Sequence, residues 1–101
     1  MSKGQGLSFK LKLKKSSKVV NIGSLTDGQY RILKCFECHK EMHTSLLVDV
    51  VYENIKHKPK NLNNGVLYII KAINNKLEKA GYDVRIVGHN QGCKGKFYWV
   101  E

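Results

Sequence analysis

No run of apolar residues in this chain approaches the roughly 20 that a membrane-spanning helix requires. The opening Met1–Gly6 (MSKGQG) has no hydrophobic segment of the kind that marks a secretory signal. Cysteine is scarce and odd in number, three in all. That fits free thiols in a reducing cytoplasm better than a disulfide framework. The common ingredients of catalytic sites are missing too. There is no paired-carboxylate motif and no nucleophile with a base at informative spacing. The glycine-rich Gly88–Lys96 (GHNQGCKGK) precedes a strand pattern, whereas a phosphate-binding loop precedes a helix. Neither enzymatic activity nor a resident cofactor is expected, and no internal repeat is evident.

Acid is the most telling shortage. Eight Asp and Glu stand against 18 Lys and Arg, for a formal charge of +10. Residues 1–26 hold six lysines and no acid, and residues 54–101 hold nine bases against three acids. Between them, residues 27–53 carry three bases against five acids. Segregation of this kind suits a protein that presents selected elements to a polyanion. No Asp or Glu occurs between Glu53 and Glu78.

The 101 residues make one domain, and 42% hydrophobic content can supply a modest core without staples. Residues 1–6 read as a loose tail, and residues 7–101 as the domain. Leu7, Phe9, Leu11 and Leu13 alternate with Ser8, Lys10, Lys12 and Lys14, the period-two pattern of a strand with one buried face. Ser16-Ser17 is a turn, and Lys18–Ile22 a second strand. Thr26 and Gln29 form a capping-box pattern for a helix running to about Met42, its buried side carrying Ile32, Cys35, Phe36 and His39. Thr44 or Ser45 caps a second helix, to about Asn54, with Leu46, Leu47, Val50, Val51 and Ile55 as its apolar set. Its valines also allow a strand. Lys58 is disfavoured from helix by the following Pro59, so Lys56–Lys60 is a basic loop.

The second half is the most organised part. Val66, Ile70, Ile73, Leu77 and Ala80 form one apolar helical face, with Gly81 placed to end the helix. Asn64, Tyr68, Lys71 and Asn75 fall roughly opposite. A hairpin should follow: a strand with Val84, Ile86 and Val87, the tip Gly88–Lys96, and an aromatic closing strand from Phe97 to Val100.

Leu25-Thr26, Gln29-Tyr30, Ile32-Leu33 and Phe36 resemble the opening helix of response-regulator effector domains of the OmpR/PhoB type. Leu47, Val51 and Tyr52 resemble their second helix, and Val66, Ile70, Ile73 and Lys76-Leu77 their recognition helix. The resemblance covers about residues 7–101. It implies an α+β winged helix-turn-helix with N-terminal antiparallel strands, three helices and a C-terminal β-hairpin wing. It also implies sequence-specific binding of double-stranded DNA in transcriptional control. The chain departs from the family at Gln29, often Glu there. It also has Ala72, Asn74 and Asn75 where the family usually carries arginines, and a longer hairpin tip. No receiver domain precedes the pattern, so phosphorylation control of the family type is not expected.

On this reading Asn64 and Asn75 pair with adenine, Lys71 reaches guanine or phosphate, and Tyr68 touches a thymine methyl or a phosphate. By family position Lys71, Asn74 and Asn75 lie where the helix enters the major groove. In the wing, Lys94 and Lys96 with His89 and Asn90 grip phosphates or the minor groove. Lys58 and Lys60 sit where the family meets the DNA backbone or RNA polymerase. For each set the plain alternative is a solvated polar face. Phe97, Tyr98 and Trp99 are expected to pack, not to stack on bases. Cys35, Cys38, His39 and His43 have zinc-like spacing, but one helix spreads them too widely to converge on a metal. Cys93 is expected to be an exposed thiol. Two rival functions stay open: an adaptor docking on RNA polymerase or another regulator, and nonspecific nucleic-acid binding through the lysine strand. A dimer on DNA is compatible with the pattern.

Overall fold

The computed structural model describes residues 7–53, 55–56, 60–90 and 96–101. Two antiparallel strands, β1 (Leu7–Lys12) and β2 (Ser17–Ile22), come first. Then follow α1 (Asp27–Cys38), β3 (Glu41–His43), α2 (Thr44–Val51), α3 (Leu62–Lys79), β4 (Ile86–Asn90) and β5 (Lys96–Val100). The described residues form an α+β domain of three helices and two small antiparallel sheets, one ordered β1-β2 and the other β3-β5-β4.

Alternation in β1 and β2 buries Phe9, Leu11, Val20 and Ile22, which join α1, α2, α3 and the second sheet in one core. Lys10 and Lys12 stay on the outer face, opposite Val19 and Ser17 respectively. Leu13 makes an isolated bridge to Val100, so the end of the hairpin is pinned to the C-terminal sheet.

The capping box at α1 forms: Thr26 Oγ1 accepts from Gln29 N–H and Gln29 Oε1 from Thr26 N–H, both at 3.3 Å. The helix ends at Cys38, four residues short of the sequence expectation. His39 is extended, and Glu41, Met42 and His43 pair with Trp99, Tyr98 and Phe97 as β3. Three residues carry too little alternation to announce a strand. With α1 shortened, His39 is exposed and no longer belongs to its buried side.

Residues 44–51 are helical, which resolves the helix-or-strand alternative, and Leu47 and Val51 are buried. Neither Thr44 nor Ser45 caps the helix. His43 does so, its Nδ1 accepting from Ser45 N–H at 3.1 Å. Leu46 is 51% exposed and Ile55 38%, so the apolar set of α2 is only partly core.

Candidate nucleic-acid interface

α3 is held at both ends and along one side. Asn61 Oδ1 caps it by accepting from Asn64 N–H at 3.1 Å. At the C-terminus Gly81 adopts φ +87°, a left-handed conformation that costs glycine least. Its N–H reaches Glu78 O, and Tyr82 N–H reaches Leu77 O, each at 3.0 Å. That pair of bonds is a Schellman closure. Val66, Ile70, Ile73 and Leu77 are buried, while Ala80 is exposed just beyond the helix.

Two polar side chains lock the helix to its neighbours. Lys76 Nζ donates to Gln29 Oε1 at 2.6 Å and to Ser24 O, joining α3 to the start of α1. Asn74 Nδ2 donates to Ile86 O at 2.9 Å, and Asn74 Oδ1 accepts from Ile86 N–H at 2.8 Å. The reason lies in the ladder. Arg85 exchanges both backbone bonds with Glu101, so the next residue, Ile86, turns its N–H and C=O away from β5. Asn74 satisfies that outward edge. Its amide is consumed by β4, which corrects the expectation that Asn74 is available to a base. Helical spacing alone puts Asn75 on the polar stripe and Asn74 to one side of it, but cannot show that Asn74 meets the Ile86 edge.

Asn64, Tyr68, Lys71 and Asn75 are exposed, as the helical spacing predicts. Tyr68 is 72% exposed, the most open of the large apolar side chains among the described residues. None of the four side chains makes a hydrogen bond, ion pair or ring contact among the described residues. The stripe therefore offers two amides, a phenol and an ammonium with unfilled capacity.

The N-terminal end of α3 faces the second sheet across a cleft of about 310 Å³ lined by His43, Thr44, Ser45, Asn63, Asn64, Leu67, Lys96 and Tyr98. Thr44 Oγ1 donates to Lys96 O at 2.7 Å, tying α2 to β5. Asn64 and Lys96 are thus brought together, and His43 and Ser45 join them. Sequence reasoning weighs His43 only as a metal ligand and Ser45 only as a helix cap, because the β3–α2 junction that places them here is unannounced. The His43 ring also meets Phe97 edge to face, with centroids 4.8 Å apart.

His89 is exposed on β4, its ring tilted toward Trp99 at 6.2 Å. Lys96 lies within β5, not at a hairpin tip, with Nζ 5.7 Å from the Tyr98 ring centre. The strand β4 likewise extends through Asn90, and Val84 is buried just before it. Tyr98 is core, and Trp99 packs beneath the Lys14 ammonium, 4.4 Å away. Lys60 is exposed. Lys58, His57, Cys93 and Lys94 lie outside the described residues.

Cys35 is half-buried and Cys38 exposed. Burial pushes the Cys35 thiol up, with Cys38 adding a smaller push. Among the described residues no three His, Cys, Asp or Glu come close enough together to hold a metal ion. No helix among them is long and apolar enough to cross a membrane.

Compared with known family models, curated proteins and solved structures, the chain matches none.

Proposed function

We propose that this chain is a winged helix-turn-helix protein that binds double-stranded DNA sequence-specifically to control transcription. In this reading α3 enters the major groove, α2 positions it, and the β4–β5 hairpin lies on the adjacent backbone or minor groove. The order of α1, β3, α2, α3 and the β4–β5 hairpin, with β5 central in its sheet, is compatible with that architecture.

The observation that carries the reading is the stripe Asn64, Tyr68, Lys71 and Asn75. It is exposed and without side-chain partners among the described residues, and the helix bearing it is fixed by two caps, by Asn74 and by Lys76. A solvent-facing helix usually scatters acids among its bases, but this stripe has none before Glu78. Rigid placement matters because base readout is geometric. Each well-formed side-chain-to-base pair contributes about 1–3 kcal/mol of discrimination. Lys60, Lys71 and Lys96 supply phosphate contacts, and His89 extends the surface along β4.

The test is binding of a labelled duplex to the double variant Lys71→Glu, Asn75→Ala. Loss of binding with an unchanged melting curve is expected. Unaltered affinity for every duplex tried would sink the reading.

One observation favours a second activity beside it. A groove of about 630 Å³ runs between α1 and α2, lined by Tyr30, Cys35, Cys38, Met42, Leu46 and Val50 among others. An exposed Leu46 in a groove rimmed by Arg31, Lys34 and Glu53 suits a protein partner such as RNA polymerase or another regulator. If this is the main role, Leu46→Glu will abolish regulation while leaving DNA affinity intact.

A further inference from the structure

The β1–β2 hairpin has a use that the α3 stripe leaves open. Its outer face carries Lys10 and Lys12, and its turn carries Lys15, all exposed. Lys40, just beyond α1, completes a shallow concavity of about 460 Å³ with Ser16 and Ser17. The acid lining it is Glu37, and its carboxylate is already engaged. One oxygen pairs with Lys34 Nζ at 2.8 Å, and the other accepts from Lys10 N–H at 3.0 Å.

The platform is held in place. Leu13 N–H donates to Ser16 O at 2.8 Å within the turn, and Leu13 bridges to Val100. Lys40 Nζ reaches Lys14 O at 3.4 Å, while the Lys14 ammonium sits over Trp99. At the opposite edge, Asn21 N–H donates to Tyr82 Oη at 2.9 Å.

Its position relative to α3 follows from the packing. The inner face of the hairpin shares one core with Val66, Ile70, Ile73 and Leu77. At 100° per residue, Asn64, Tyr68, Lys71 and Asn75 point roughly opposite to those four. The lysine face and the α3 stripe therefore both point away from that core, as two surfaces on separate elements.

We propose that the outer face of the β1–β2 hairpin binds the phosphate backbone of a second DNA duplex, so that one chain bridges two stretches of DNA. The inference rests on the reading of α3 as a duplex-binding helix. Lys10 and Lys12, two residues apart on a strand, stand about 6.8 Å apart along it. That is twice the roughly 3.4 Å axial repeat of charge on one DNA strand. Lysines without a neighbouring acceptor geometry contact phosphate as point charges and carry no base readout. Among the described residues no aromatic side chain lines the concavity for stacking on unpaired bases. A membrane surface would require an inserted apolar face, and Val19 is the one large apolar side chain exposed on the hairpin among the described residues.

The test uses one duplex fixed to beads and a second, labelled duplex in solution, with protein added across a salt series. Wild-type protein is expected to carry the labelled duplex onto the beads. The variant Lys10→Gln, Lys12→Gln, Lys15→Gln, Lys40→Gln should lose this capture by about tenfold or more, and the salt slope of capture should fall by roughly 2–4. Its melting curve and its affinity for a single duplex near physiological salt should stay close to wild type. A Tyr68→Ala, Lys71→Ala, Asn75→Ala variant should lose capture and single-duplex binding together. Tight single-duplex binding by wild type without capture would overturn the inference and leave the α3 reading standing. Absence of any duplex binding would overturn both. Capture undiminished in the lysine variant would assign bridging to pairing of two chains. Equal capture of phosphatidylglycerol vesicles in place of the second duplex would assign the face to a membrane surface. Either of these last two results also overturns the inference.

Discussion

Asn74 and Asn75 are neighbours on one helix with the same side chain, and the structure gives them opposite duties. Replacing each in turn by Ala separates stability from recognition. Asn74→Ala removes two hydrogen bonds, at 2.9 and 2.8 Å, and leaves Ile86 N–H and C=O without partners on the edge of β4. A net loss of about 0.5–1.5 kcal/mol per bond gives roughly 1–3 kcal/mol. Partial burial lets water reach Ile86 in the variant, so the lower half of that range is expected. For a domain of this size, about 4–8 °C is lost from the melting temperature per kcal/mol. Asn74→Asp should not rescue, because a second oxygen then faces the Ile86 carbonyl. Asn75→Ala, with an exposed amide that has no partner among the described residues, should change stability by no more than about 0.5 kcal/mol. If Asn75 reads a base, the same change should cost about 1–3 kcal/mol of binding, or roughly 5- to 150-fold in Kd. Urea melts and fluorescence anisotropy on the two variants measure both quantities. Equal melting curves, or a larger destabilisation from Asn75→Ala, would refute the division.

Gly88 lies opposite Tyr98, where an added Cβ would come within 2.6 Å of the Tyr98 ring and 2.8 Å of Lys96 Cδ. Gly88→Ala must push aside a buried ring and should cost about 1–3 kcal/mol in a urea melt. Glu37 is held below the ordinary carboxylate range, first by the Lys34 ammonium and then by the Lys10 N–H. A depressed folded-state value means that its stabilisation is complete above the ordinary value of 4.5 and is lost as pH falls through the lower folded value. Melts taken down that range should fall more steeply for wild type than for Glu37→Gln. Iodoacetamide should label Cys38 well before Cys35, which is half-buried and has a raised thiol pKa, as peptide mass spectrometry would show.

Much of the frame was legible because it rests on local chemistry. Thr26 and Gln29 name their capping box, Gly81 names the end of α3, and the spacing of Val66, Ile70, Ile73 and Leu77 names its buried face. The illegible parts are those decided by partners far away in sequence. β3 exists because Glu41–His43 finds β5 across the fold, and three residues cannot signal that alone. His43 becomes a cap only once β3 has placed it before α2. Asn74 and Asn75 differ by 100° around the helix, and only the position of the Ile86 edge decides which of them is engaged. The candidate site is likewise half local. The α3 stripe follows from periodicity, whereas its approach to His43, Ser45 and Lys96 follows from tertiary packing.

The central claim is that the exposed stripe of α3 reads DNA sequence. Selection of duplexes from a random pool, followed by anisotropy across a salt series, tests it most directly. The account predicts convergence on one motif, specific binding that survives near physiological salt, and loss of the preference in Tyr68→Ala, Lys71→Ala, Asn75→Ala. A pool that never converges, with affinity that vanishes as salt rises, would contradict it and leave the positive charge as a nonspecific attraction.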